Sequence, residues 1–175
     1  MIRALAPSDT LHLTWSFAGW PGVTDVVGGE PLLVSAGHNV APAPKPSDPY
    51  FFYRNPRTAA GVDAGCLDAN AATVCKVTIV TVDGRQPGWS EGWLLPPLAA
   101  QFLQHGVVRA INFDGGGSTE MWVRATGTYC CLRTAGGCLV NKPSDATGER
   151  TTSVSLGVLP GPEPGGFSTP RGSGP

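Results

Sequence analysis

The chain lacks the features that mark several common functional classes. Its three histidines do not cluster, and none lies close in sequence to any of the five cysteines, which leaves a zinc site little support. There is no block of Lys or Arg and the formal net charge is −1, so a basic footprint for nucleic acid is missing. No apolar run approaches the roughly 20 residues a membrane-spanning helix needs. The opening stretch, Met1-Ile2-Arg3-Ala4-Leu5-Ala6-Pro7, is too short an apolar run for an export signal. There is no internal repeat. What the chain does have is glycine and proline, 24 and 17 of them, which favours a loop-rich α+β or all-β domain over a helical bundle. Its length of 175 residues fits one domain, and a hydrophobic share of 41% suffices for a core.

The cysteines are Cys66, Cys75, Cys130, Cys131 and Cys138. Their spacing fits two local disulfides, Cys66 with Cys75 and Cys138 with Cys130 or Cys131, better than a metal site; free buried thiols are the alternative. Disulfides imply an extracytoplasmic protein, which conflicts with the missing export signal.

Along the chain, residues 11–20 alternate as a strand does, and a short apolar run spans Pro31 to Val34. A stiff Pro-rich loop follows at residues 41–49. Val74 to Val82, rich in Val, Ile and Thr, is the clearest strand and stops at Asp83-Gly84. A Cys66–Cys75 bridge would tie the end of a hairpin there. One helix is expected: Pro96-Pro97 sit in its first turn, Leu94, Leu95, Leu98, Ala99, Phe102 and Leu103 form its apolar face, and Gly106 ends it. Val107 to Phe113 reads as a buried strand, Glu120 to Ala125 as its partner, and Thr151 to Leu159 as a final strand. These elements predict an α+β domain over residues 1–159, with a mixed, largely antiparallel sheet and one main packed helix. Residues 160–175, mostly Pro, Gly and Ser, are expected to be a disordered tail.

Chemistry points to strand ends. Asp114-Gly115-Gly116-Gly117-Ser118 follows a strand directly, and its glycine backbone offers an anion-binding nest; a tight turn is the plainer alternative. No Gly-Lys-Ser/Thr follows, so it is not a nucleotide-binding loop of the Walker type. Asp83-Gly84-Arg85 places a carboxylate and a guanidinium two positions apart, and Arg suits phosphate geometry. Arg57-Thr58 and Pro143-Ser144-Asp145, with Arg150, are similar clusters in an otherwise charge-poor chain. His105 near the helix C-terminus reads as a capping residue.

These segments occur in an order that resembles the phosphodiester glycosidase family: Arg57-Thr58-Ala59-Ala60-Gly61-Val62-Asp63, Val82-Asp83-Gly84-Arg85, the Leu95–Gly106 helix, Ala110 to Ser118, and Asn141 to Arg150. The likeness runs from about Gly28 to Leu159. It implies hydrolysis of the bond between a sugar's anomeric carbon and a phosphodiester, with a sugar-phosphodiester partner and neither cofactor nor metal. By motif, the shared site positions are Arg57, Asp83, Asn112, Asp114, Gly115, Gly116, Gly117, Ser118, Ser144, Asp145 and Arg150. Among them, and with Thr58 and Arg85 added from the residue reading, Asp114, Asp83 and Asp145 are the candidate catalytic carboxylates. The others are candidates for holding substrate and phosphate. Two further classes stay open: a catalytically inactive carbohydrate- or phosphate-binding module, and a metal-dependent phosphoesterase. Family members also carry an upstream Asn-Gly-Gly-aromatic-aromatic segment, and nothing before Gly28 looks like it. The expectation is therefore a chain lacking the family's N-terminal part and its export signal, belonging to a secreted protein.

Overall fold

The computed structural model describes residues 26–47, 53–68, 74–124, 132–134, 137–152 and 155–158. The expected strand over residues 11–20 and the tail lie outside them.

Five strands form the main sheet: β1 (Leu32–Ser35), β2 (His38–Asn39), β3 (Arg57–Val62), β4 (Val77–Val82) and β5 (Arg109–Asn112), in the order β2-β1-β5-β3-β4. Every neighbouring pair is antiparallel. β3 alternates buried and half-buried residues, as a strand with one face on a core should. The helix α1 (Leu95–Gln104) covers that face, burying Leu95, Leu98, Ala99 and Phe102 against Leu33, Val34, Ala59, Val107 and Ala110. Each such large side chain contributes about 1.5–3 kcal/mol of burial.

Local chemistry sets the helix ends. Pro96 and Pro97 occupy the first turn, where a backbone N–H has no helical partner to lose. At the other end Gly106 takes a φ of 76°, and its N–H bonds the Leu103 carbonyl at 3.0 Å while that of Val107 bonds the Phe102 carbonyl at 3.1 Å. This is a Schellman closure, with buried Val107 and Phe102 as its apolar contact.

A second, smaller sheet joins β6 (Trp122–Val123), β7 (Leu132–Thr134) and β8 (Gly137–Leu139) in the order β6-β8-β7, again antiparallel. Here the sequence reading needs correction. The segment around Trp122 does not pair with β5, because β1 and β3 already occupy both of its edges; it pairs with β8 instead. The expected final strand is not formed by the described residues of 151–158: they join no ladder, and Leu156 and Val158 are exposed. Alternation signals a strand only where an edge is available to pair with.

The β3–β4 hairpin is closed by a disulfide between Cys66 and Cys75, beyond the last register pair Val62–Val77. Asp63 adds a polar clasp, accepting from the backbone N–H groups of Cys66 at 3.3 Å and Lys76 at 3.2 Å. Cys138 is also disulfide-bonded; the choice between Cys130 and Cys131 falls outside the described residues. Opening a loop of this size removes about 2–3 kcal/mol by chain entropy. The Cys66→Ser/Cys75→Ser double variant should therefore unfold at a lower urea midpoint than the parent. An unchanged midpoint would show that the hairpin end does not rely on the bridge.

Candidate functional site

Antiparallel pairing decides where the candidate residues meet. Arg57, at the start of β3, is registered with Val82 at the end of β4, and Ala59 with Asn112 at the end of β5. Asp83 and the Phe113–Ser118 turn therefore leave the sheet at the same end at which Arg57 enters it. The loop over residues 141–150 closes over this end, since the Gln86 amide donates to the carbonyls of Lys142 at 2.8 Å and Pro143 at 3.2 Å.

The glycine turn is built for close packing. The Phe113 N–H continues the ladder to the Thr58 carbonyl at 2.8 Å, and the Gly116 N–H reaches the Pro56 carbonyl at 3.2 Å. Gly116–Ser118 form a 3-10 turn, Gly116 with φ 64°. A Cβ on Gly116 would lie 2.9 Å from Nη1 of Arg85, and one on Gly117 would overlap the Asp145 carboxylate. Glycine here lets a guanidinium and a carboxylate lie directly on the backbone. Three of the amides expected to form an anion nest are taken up by the turn's own bonding. The Gly115 N–H donates to Oδ1 of Asp114 at 2.8 Å, Gly116 to Pro56, and Ser118 to the Gly115 carbonyl at 3.3 Å, so those amides hold the turn itself.

The three candidate acids differ in their surroundings. Asp83 is a hub: its Oδ2 accepts from the Trp89 indole at 2.8 Å, and its Oδ1 from the Asn141 amide at 3.2 Å and the Lys142 N–H at 2.9 Å. Asp145 is paired with Arg150, whose Nη2 and Nε lie 2.7 and 2.8 Å from its Oδ2. Asp114 is exposed, and among the described residues its Oδ2 accepts no hydrogen bond. It borders an open hollow of about 350 Å³ together with Gly29, Glu30 and Phe113. A second hollow of about 270 Å³ lies over the 141–149 loop, with Asp145 and Lys142 in its wall.

The cations differ as well. Arg85 is exposed, with φ 56°; its Nε donates to Oδ1 of Asn55 at 2.9 Å, and its two terminal nitrogens make no hydrogen bond among the described residues. Arg57, expected to bind phosphate, is fully enclosed instead. Its Nε and Nη2 donate to the carbonyls of Trp93 at 3.2 Å and Tyr53 at 3.1 Å, so it fastens the 53–57 segment beneath the site. Asn112 is likewise buried, its amide donating to the carbonyls of Glu30 at 2.8 Å and Phe113 at 2.7 Å. Thr58 meets Thr119 hydroxyl to hydroxyl at 3.3 Å, and the half-buried Ser144 keeps its Oγ out of solvent.

Sequence reasoning missed Asn55, which orients Arg85, and Glu30, which shares the hollow with Asp114. Asn55 stands in the Arg54-Asn55-Pro56 run ahead of β3, but only the tertiary contact reveals its role. Among the described residues no group of three or more His, Cys, Asp or Glu is arranged to hold a metal ion, and no helix is long and apolar enough to cross a membrane.

A family model described as phosphodiester glycosidase matches residues 2–159, so the matched stretch begins upstream of Gly28. No curated protein matches. Among solved structures, one described as an exported protein from Burkholderia pseudomallei is 40% identical, with a TM-score of 0.39. The alignment covers 55% of this chain and 14% of that one, so this chain spans a small part of the protein it is compared with.

The Asp83 hub yields a stability test. Asp83→Ala leaves three donors without an acceptor and is expected to cost about 1–3 kcal/mol, read as a lower urea midpoint, with Asp83→Asn recovering part of it. A midpoint equal to the parent's would mean that the loops are held by other contacts.

Proposed function

The chain belongs to the phosphodiester glycosidase family, and from that premise we propose that it hydrolyses the bond between a sugar's anomeric carbon and a phosphodiester oxygen. A departing phosphate monoester is a good leaving group, its second ionisation lying near pH 6, so strong protonation of the leaving oxygen is unnecessary. What the reaction needs is a cation for the phosphate and a carboxylate facing the anomeric carbon, where positive charge develops.

The state of the acids carries this reading. Asp83 is engaged by three donors and the Asp145 charge is paired with Arg150, while Asp114 has no ion pair among the described residues, keeps one carboxylate oxygen free and borders an open hollow. Asp114 is therefore the carboxylate that meets the anomeric carbon. Its backbone is steadied by β5 and by the Phe113–Thr58 bond, a requirement for a reacting group. Arg85, oriented by Asn55 and with two nitrogens to offer, receives the phosphate. Arg150 is a second cation on the same turn, tied to it through Asp145. Arg57 acts from beneath, holding the segment that carries Asn55.

The Cys66–Cys75 disulfide supports an oxidising, extracytoplasmic setting. A polymer or glycan bearing sugar 1-phosphodiesters is the substrate class that fits.

Hydrolysis of a sugar 1-phosphodiester in ¹⁸O-labelled water tests the reaction type. The label should appear on the anomeric oxygen of the released sugar, with an unlabelled phosphate monoester. Label in the phosphate would mean cleavage of the P–O bond and would overturn the reading. In the same assay Asp114→Asn should lower turnover at least about a hundredfold with an unchanged melting temperature, and Arg85→Lys should mainly raise KM.

A further inference from the structure

Glycoside cleavage ordinarily uses two carboxylates, one facing the anomeric carbon and one handling the proton of the incoming water. Two of the three acids expected from motif are occupied: Asp83 by three hydrogen bonds, Asp145 by Arg150. The hollow beside Asp114 has a second acidic wall in Glu30. Its side chain is exposed and makes no hydrogen bond among the described residues.

The two walls are built as a unit. The buried amide of Asn112 donates at once to the Glu30 carbonyl at 2.8 Å and the Phe113 carbonyl at 2.7 Å, clasping Glu30, two residues ahead of β1, to the residue before Asp114. Asn112 itself is fully enclosed, and its Oδ1 accepts no hydrogen bond among the described residues. The backbone N–H of Asn112 adds a 3.0 Å bond to the Pro31 carbonyl. Gly29 completes the fit, because a Cβ there would overlap the Asn112 carbonyl and lie 2.8 Å from Cδ1 of Phe113. These contacts fix the backbone of Glu30 relative to that of Asp114, so the two acids rise from one anchored base.

We infer that Glu30 is the general base of the site, taking the proton from the water that replaces the phosphate. The inference rests on the proposed hydrolysis. Glu30 accepts one proton from water as the water oxygen bonds to the anomeric carbon. The bond from that carbon to the phosphate oxygen breaks, and the electron pair leaves on that oxygen as the phosphate monoester departs. The proton then passes from Glu30 to solvent, restoring the carboxylate. Asp114 meets the charge at the anomeric carbon from within the same hollow.

Glu30→Gln removes the base and keeps the size at an exposed position, so the fold should be unaffected and the melting temperature unchanged. Turnover of a sugar 1-phosphodiester should fall about 10²- to 10⁴-fold. Added azide, a nucleophile with no proton to lose, should restore much of the rate and give the glycosyl azide. A variant that turns over within about twofold of the parent overturns the role of Glu30 and leaves the hydrolysis intact; so does a slow variant that azide fails to rescue. A parent protein that releases no sugar overturns the proposed hydrolysis, and the role of Glu30 with it.

Discussion

The central constraint in this protein is the double pairing of β3. It hydrogen-bonds β4 on one side and β5 on the other, both antiparallel, and so its start lies beside the ends of both neighbours. Arg57, Asp83 and Asp114 are separated by long stretches of sequence, yet this one arrangement brings their backbones to the same end of the sheet. A slip of one residue would turn every side chain to the opposite face. The alternating burial of β3 and the helix packed on that face make such a slip costly. The site thus inherits its placement from apolar packing that contains none of the site's own side chains.

Above that sheet the means of attachment changes. The loops that carry the acids and cations are joined by hydrogen bonds: Gln86 to the Lys142 and Pro143 carbonyls, Asp83 to Trp89, Asn141 and Lys142, Arg85 to Asn55, and Asp145 to Arg150. The glycine turn is the surface on which Arg85 and Asp145 rest. Its backbone donors serve mainly to keep its own shape, and the charges it presents belong to the residues it admits.

Much of this was readable in the sequence, and the reasons are specific. The helix was clear because proline at its start, an apolar face and a closing glycine all agree, and the structure closes it at Gly106 as the pattern implies. β4 and the Cys66–Cys75 bridge followed from β-branched content and local spacing. The partner of Trp122 did not, because strand pairing depends on which edges remain open once the main sheet has formed. The same limit applies to the site. Motif order located Asp83, Asp114, Asp145 and Arg57 correctly at strand ends and loops, but it says nothing about which of them is enclosed. Arg57 looks like a phosphate ligand in sequence and proves to be buried under two carbonyls. Glu30 and Asn55 carry no local signature, since each matters only through what it meets across the fold.

The division between an apolar scaffold and a hydrogen-bonded crown has a thermal consequence. Burial of apolar surface strengthens on warming over the ordinary range, whereas polar contacts at a wet surface gain nothing comparable. The crown and the sheet therefore respond to temperature to different degrees. Local opening of the loops around Asp83 and Asp145 costs less free energy than unfolding the packing beneath α1, because those loops are held by exposed hydrogen bonds and few apolar contacts. On cooling it is the core beneath the crown whose driving force fades.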